Sequence, residues 1–173
     1  PTAGGAIAVG PTAQAQYTNS IAMGNNAKTG QASSVAIGDT ATTKGIGDIA
    51  IGYGATTGTI APTVGTTANS AIAIGSGTFS SWGVAIGDQA QNSSGSYGVS
   101  IGRRTLSGLR SVALGWTATA KGIGAIGIGD FGTYADGNAG IALNGKVASA
   151  ATNGVAIGSG SSASVNDSLA LGS

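Results

Sequence analysis

The chain has 173 residues, of which 33 are glycine and 8% are charged, with a formal net charge of +1 and no cysteine. This weak, dispersed charge excludes an electrostatic surface for nucleic acid and a polybasic patch for anionic lipid. Disordered chains are poor in aliphatic residues, whereas the mean hydropathy here is +0.25, so we expect the chain to fold.

The ends and the hydropathy profile indicate a fragment. No stretch reaches the roughly 18 to 20 continuous apolar residues of a membrane span. The opening residues, Pro1 to Gly5, do not have the form of a signal peptide. We therefore expect a piece of a longer protein that makes no direct membrane contact of its own.

One four-residue motif, apolar-Ala-apolar-Gly with small variations, recurs along the whole chain. Its closing position advances by 14 residues in most intervals, by 12, 13 or 15 in others and by 23 once. A fixed short period is the signature of a solenoid in which each repeat is one coil. The twelve copies are residues 7–10, 21–24, 35–38, 49–52, 72–75, 84–87, 99–102, 112–115, 126–129, 141–144, 155–158 and 169–172.

Each coil is predicted to contain two short strands joined by tight turns. About 14 residues are too few for a pair of helices, and β-branched residues with interspersed glycines disfavour any helix. The closing glycine suits a turn that needs a positive φ. Asn144 replaces it once, and asparagine is the residue next most tolerant of that conformation.

Side chains alternate along a strand, so the two aliphatic residues of a motif face one way and the residue between them faces the other. We predict that the aliphatic pair fills the interior of the coil. The middle residue is then outward, and its constant small size predicts that another backbone lies against it. These trimer-interface candidates are Ala8, Ala22, Ala36, Ala50, Ala73, Ala85, Ser100, Ala113, Gly127, Ala142, Ala156 and Ala170. Alternatively, these residues are all small because the repeat expanded and did not diverge afterwards.

In three copies the residues on both sides of the four-residue motif are also similar. Residues 34–41 read Ser-Val-Ala-Ile-Gly-Asp-Thr-Ala, and residues 20–27 and 111–118 match them closely. They resemble the head repeat of the YadA-like trimeric autotransporter adhesins, and the resemblance covers essentially the whole chain. It implies a left-handed parallel β-roll that forms a homotrimer on the bacterial cell surface. A stalk and an outer-membrane anchor, both outside this sequence, would carry it.

The resemblance also implies adhesion to host extracellular matrix or cells, of the collagen, fibronectin, laminin or epithelial-surface class. Autoaggregation or biofilm formation is the other role that it allows. We expect the entire chain, 1–173, to be one head domain with a loop insertion around 56–69, where the motif interval is 23 residues.

One segment is richest in arginine and aromatic residues, the types enriched in binding hot spots. The position after the motif glycine holds Asp88, Arg103, Trp116 and Asp130 in successive coils, which predicts an exposed ladder with an Asp88–Arg103 ion pair and an Arg103–Trp116 cation–π contact. A plain surface ladder is the alternative. The ligand-patch candidates are Trp82, Tyr97, Arg103, Arg104, Arg110 and Trp116.

The residue inventory predicts no enzyme, catalytic residue, metal site or cofactor. Histidine, cysteine and glutamate do not occur, so the commonest general base and the soft metal ligands are missing. The six aspartates are scattered, and Asp39, Asp88 and Asp130 take an ordinary turn position. A competing function is a free-standing β-solenoid with a surface role such as ice binding. A regular threonine ladder would favour it, but the threonines do not recur at one place in every coil.

Overall fold

In the computed structural model the chain is an all-β, parallel β-solenoid of about eleven turns, which confirms the predicted fold class. The structure describes residues 4–58, 70–148 and 151–172, and none of these residues is helical. Twelve motif copies delimit eleven complete turns, one fewer than the predicted number of coils. The chain divides into two compact units, Pro1–Gln89 and Ala90–Ser173.

Among its described residues the first unit contains ten strands, which alternate between a three-residue motif strand and a two-residue return strand until the last one combines both. They are β1 (Ile7–Val9), β2 (Gln14–Ala15), β3 (Ile21–Met23), β4 (Lys28–Thr29), β5 (Val35–Ile37), β6 (Thr42–Thr43), β7 (Ile49–Ile51), β8 (Thr56–Thr57), β9 (Ile72–Ile74) and β10 (Phe79–Ile86).

The second unit repeats this plan, beginning with a strand that combines both kinds. Its strands are β11 (Gln91–Ile101), β12 (Leu106–Ser107), β13 (Val112–Leu114), β14 (Thr119–Ala120), β15 (Ile126–Ile128), β16 (Tyr134–Ala135), β17 (Ile141–Leu143), β18 (Lys146–Val147), β19 (Val155–Ile157), β20 (Ser162–Ala163) and β21 (Leu169–Leu171).

Within each unit, motif strands pair only with motif strands and return strands only with return strands, in parallel and in register. Ala22 of β3 lies beside Ala36 of β5, and Lys28 of β4 lies beside Thr42 of β6. We call the two resulting rows the motif ladder and the return ladder. A motif turn, such as 38–41, and a return turn, such as 44–48, join them at opposite ends of each coil.

The long motif interval leaves this register intact, because Ile49 of β7 pairs with Ile72 of β9. The first residues of the predicted insertion, around 56–69, are regular in structure. Thr56 and Thr57 form the regular return strand β8, which pairs with β6 and β10. The remainder, 59–69, lies outside the described residues.

The interior of the coil is made of small side chains, and this overturns the predicted orientation of the motif. In the coil formed by residues 35–48, Ala36, Ala41, Thr43 and Asp48 all have an exposed fraction of 0%. Among the described residues, the largest fully buried side chains are only Val147, Asn92 and several threonines. A 14-residue coil brings its motif strand and return strand so close together that nothing larger fits.

The middle residues of the motif are therefore not an interface between chains. All are buried inside a single chain except Ala8 and Ala170, which belong to the terminal motif strands and are exposed and half-buried. The correction covers the ten buried members of the predicted set, and Ala8 and Ala170 stay predictions. The ten are Ala22, Ala36, Ala50, Ala73, Ala85, Ser100, Ala113, Gly127, Ala142 and Ala156. Their small size is explained by the narrow interior, not by a partner backbone.

One coil shows how turn residues adjust the repeat. Asn144 has a φ of 53°, as its place at the motif-glycine position predicts. The motif turn after it is two residues shorter than usual, since Lys146 already begins the return strand β18. The Asn144 side-chain oxygen accepts the backbone N–H of Asp130 from the preceding coil at 3.0 Å. At this shortened turn a side chain thus adds an inter-coil hydrogen bond to the backbone one from the N–H of Asn144 to the carbonyl oxygen of Ile128.

Candidate functional site: an exposed aliphatic face and an aromatic motif turn

The aliphatic residues of the motif lie on the outer surface of each unit. Every first and third motif residue is half-buried or exposed, and the exposed fraction is 50% for Ile7 and 51% for Val9. Because the strands pair in register, these side chains form two parallel rows along the motif ladder. Monomeric soluble proteins rarely expose continuous apolar surface of this kind, and it marks an interaction face.

The motif turns of the second unit place three ligand-patch candidates together. Arg103 and Arg104 are exposed in one motif turn, and Trp116 is 47% exposed in the next. The backbone N–H of Thr117 donates to the carbonyl oxygen of Arg103 at 2.8 Å, so these two turns stack directly. Arg103 and Trp116 thus occupy equivalent positions in successive coils, as the sequence predicts.

The aromatic contact of Trp116 in the structure is with Phe131, a residue that the sequence reasoning missed. Their ring centroids are 6.2 Å apart and their planes are tilted by 48°. Phe131 is 75% exposed, so the pair stands on the surface with its faces free to stack on a ligand. The predicted contact between Arg103 and Trp116 stays a prediction.

An extra turn residue creates this pair. Between Gly129 and the return strand β16 the motif turn contains one residue more than the turn after Gly115, which leads to β14. The carboxylate of Asp130 accepts the backbone N–H of Phe131 at 2.8 Å and fixes the widened turn. The 15-residue motif interval and the Asp-Phe-Gly sequence at 130–132 were the available signals.

The other candidates lie elsewhere. Arg110 is in a return turn, at the opposite end of the coil from Arg103 and Trp116. The pairing of Val99 with Val112 places Tyr97 at the position of Arg110 in the adjacent coil, so these two exposed residues share the return-turn side. Trp82 and Asp88 belong to the first unit. The Asp88–Arg103 ion pair therefore also stays a prediction.

The one aspartate that is fully buried among the described residues, Asp48, has a structural role. Asp48 is fully buried, where its carboxylate accepts hydrogen bonds from the N–H of Gly45 at 2.7 Å, the hydroxyl of Thr57 at 2.7 Å and the N–H of Ala71 at 2.9 Å. Within the described ranges, no three His, Cys, Asp or Glu side chains come together in a way that would hold a metal ion. The described part of the chain also contains no helix suited to crossing a bilayer.

Comparison with family models decides the relationship. The model of the YadA head domain repeat matches residues 2–27, 31–55, 107–131 and 149–173, more than half of the chain. The chain belongs to the YadA head domain family. Membership brings an adhesin-type function on a surface-exposed autotransporter, and heads of this family are typically non-enzymatic. No significant match is found among curated proteins.

Proposed function

We propose that this YadA head domain is the adhesive tip of a trimeric bacterial surface protein that attaches to host extracellular matrix or cells. The observation that carries the proposal is the outward aliphatic face that the motif ladder forms in each unit, on a chain of this family. Three copies, packed with these faces toward a common axis, would remove that surface from water. Burial of apolar area is the dominant favourable contribution to such association.

Trimerisation would also strengthen adhesion through sites that are weak individually. Three copies of the same weak site, held on one rigid particle, bind a repetitive matrix fibre by multivalency. The motif-turn patch formed by Arg103, Arg104, Trp116 and Phe131 is the proposed contact with the ligand, because exposed aromatic and arginine side chains dominate binding energies. The domain would be held at the cell surface through regions outside this sequence.

The rival function, ice binding, has less support. The fully buried threonines Thr29, Thr43 and Thr57 point into the coil. The outward row of the return ladder in the same unit reads Gln14, Lys28, Thr42, Thr56 and Phe79. A flat surface array of one residue type is not formed there.

Two measurements on the purified chain test the proposal. Light scattering should give a mass three times that of the 16.2 kDa monomer. In a solid-phase assay, the chain should bind at least one of immobilised collagen, fibronectin, laminin and fixed epithelial cells above an albumin control. A folded monomer would refute the packing of three aliphatic faces, and a trimer that binds none of the three proteins nor epithelial cells would refute host attachment.

A further inference from the structure

The first unit contains a groove on the outer side of its return ladder. It has a volume of about 320 Å³ and lies across successive coils, between Lys28 and Gly30 of one coil and Thr42 to Lys44 of the next. Tyr17 and Gln31, both from return turns, complete its lining. This groove is separate from the motif-turn patch, whose residues all belong to the second unit.

Gly30 lies in the groove lining, close to the backbone of the next coil. The pairing of Lys28 with Thr42 aligns Gly30 with Lys44, and the pairing of Gln14 with Lys28 aligns it with Gln16. A Cβ atom at Gly30 would lie 2.5 Å from the carbonyl oxygen of Thr43 and 2.9 Å from the Cα of Lys44. A side chain at this position would require the neighbouring backbone to shift, so bare backbone lines the groove at Gly30.

The groove is positively charged. The first unit has two basic side chains in its sequence, Lys28 and Lys44, and both line the groove. Two residues of rise and one strand spacing place their Cα atoms about 8 Å apart, given about 3.3 Å per residue and about 4.8 Å between strands. Alternation along β4 directs Lys28 outward, because Thr29 beside it is buried. Lys44 is the first residue after β6 and lines the same groove.

This charge is not neutralised by a nearby acid. In the part of the chain that the structure describes, neither ammonium group makes an ion pair or a hydrogen bond to protein. Asp48 is the acid nearest to Lys44 in sequence, but its carboxylate faces the interior and accepts from Gly45, Thr57 and Ala71. The other acids of this unit, Asp39 and Asp88, lie in motif turns at the opposite end of the coil.

The remaining lining adds neutral hydrogen-bonding groups and one aromatic face. Tyr17 is 39% exposed and offers a ring and a hydroxyl, while Gln31 and Thr42 offer an amide and a hydroxyl. Lysine binds sulfate or carboxylate oxygens by charge-assisted hydrogen bonds, and an aromatic ring stacks on the apolar face of a ligand. A ligand that combines anionic groups with many hydroxyls satisfies the whole lining.

We propose that this groove binds an acidic oligosaccharide through sulfate or carboxylate groups held by Lys28 and Lys44. Nucleic acid also carries anionic groups, but its binding sites show an extended basic stripe, whereas this unit has only two basic residues in its sequence. The site does not depend on the proposed attachment to matrix proteins, because its ligand and its residues are different.

The experiment is a calorimetric titration of the full chain with three probes of similar length: a heparin hexasaccharide, a hyaluronan hexasaccharide and a single-stranded oligonucleotide. Lys28→Gln and Lys44→Gln remove one ammonium each and keep most of the side-chain stem. Lys121→Gln and Lys146→Gln are the matched controls, since they change exposed lysines of the second unit. Circular dichroism melts check that each variant is folded.

We expect the chain to bind heparin, hyaluronan or both, and the preference between them identifies sulfate or carboxylate as the recognised group. Each groove variant should raise the dissociation constant about tenfold, the loss expected when one hydrogen bond to a charged group is removed. The control variants should stay within about twofold of the parent. Three results would overturn the proposal. The first is that the chain binds neither saccharide, and the second is that the control variants lose as much saccharide affinity as the groove variants. The third is that the oligonucleotide binds and that its binding depends on Lys28 and Lys44 as strongly as saccharide binding does.

Discussion

The hydroxyl of Thr57 donates a hydrogen bond of 2.7 Å to the carboxylate of Asp48, and both side chains are fully buried. The same carboxylate accepts the backbone N–H of Ala71 at 2.9 Å. Thr57 precedes the long insertion and Ala71 follows it, so one buried side chain ties together the two ends of the segment. In some other coils this position is held by a serine, such as Ser34, whose hydroxyl donates to the carbonyl oxygen of Gln31, and in the rest it is alanine or glycine.

Replacing Asp48 by alanine should destabilise the first unit strongly. The change leaves the N–H groups of Gly45 and Ala71 and the hydroxyl of Thr57 without their acceptor in the interior. Each buried polar group without a partner costs about 1 to 3 kcal/mol, so we expect a loss of about 3 kcal/mol or more in the free energy of unfolding. Urea unfolding followed by circular dichroism measures it.

Ser34→Ala is the matched control for that experiment, since Ser34 occupies the equivalent position and its side-chain hydroxyl makes one hydrogen bond to a return-turn carbonyl. Its cost should be near 1 kcal/mol. If both variants shift the urea midpoint equally, Asp48 has no special part in holding the ends of the insertion.

The sequence predicts the repeat, the parallel strands and the turn positions, but it does not predict which face of the motif points inward. Alternation places Ala36 and Ile37 on opposite sides of a strand and is silent on which side is the interior. That choice depends on the width of the coil, which the close return strand keeps small. Buried Asp48 and exposed Phe131 were missed for a related reason, because each depends on a local departure from the average repeat.

Enlarging an interior motif residue tests this assignment. Ala36→Leu places three more carbon atoms into a coil whose described interior holds nothing larger than valine, asparagine and threonine when fully buried. Overpacking of a tight core costs about 1 to 3 kcal/mol, so the melting temperature should fall by several degrees. Thermal melts of both this variant and the parent give the difference.

Thr42→Leu is the control for Ala36→Leu, because Thr42 lies on the outward row of the return ladder in the same coil. A substitution at such a surface position should change stability by no more than about 0.5 kcal/mol. Equal tolerance of leucine at both positions would contradict a narrow interior lined by the middle residues of the motif.

A lysine on the aliphatic face should prevent the proposed trimer from forming. Ile51 is half-buried on the motif ladder, and Ile51→Lys would bring three like charges into an apolar interface. An uncompensated charge in such an interface costs several kcal/mol, so light scattering should report a single copy of 16.2 kDa. Thr56→Lys, on the return ladder of the same coil, should leave the mass at three copies. A trimer that persists in Ile51→Lys would place the interface elsewhere.

The aromatic pair of the motif turns, Trp116 and Phe131, should contribute directly to adhesion. Trp116→Ala and Phe131→Ala each remove one member of an exposed pair whose centroids are 6.2 Å apart. Truncating a binding hot spot costs about 2 kcal/mol or more, which corresponds to about thirtyfold in the dissociation constant. Binding to whichever matrix protein the parent chain recognises should therefore weaken by that factor, as measured by surface plasmon resonance.

Tyr53→Ala is the matched control, because Tyr53 is 65% exposed at the same motif-turn position of the first unit and has no aromatic neighbour among the described residues. Its affinity should match that of the parent. If Tyr53→Ala weakens adhesion as much as Trp116→Ala does, attachment is spread along the motif turns, and the Trp116–Phe131 pair is not a distinct site.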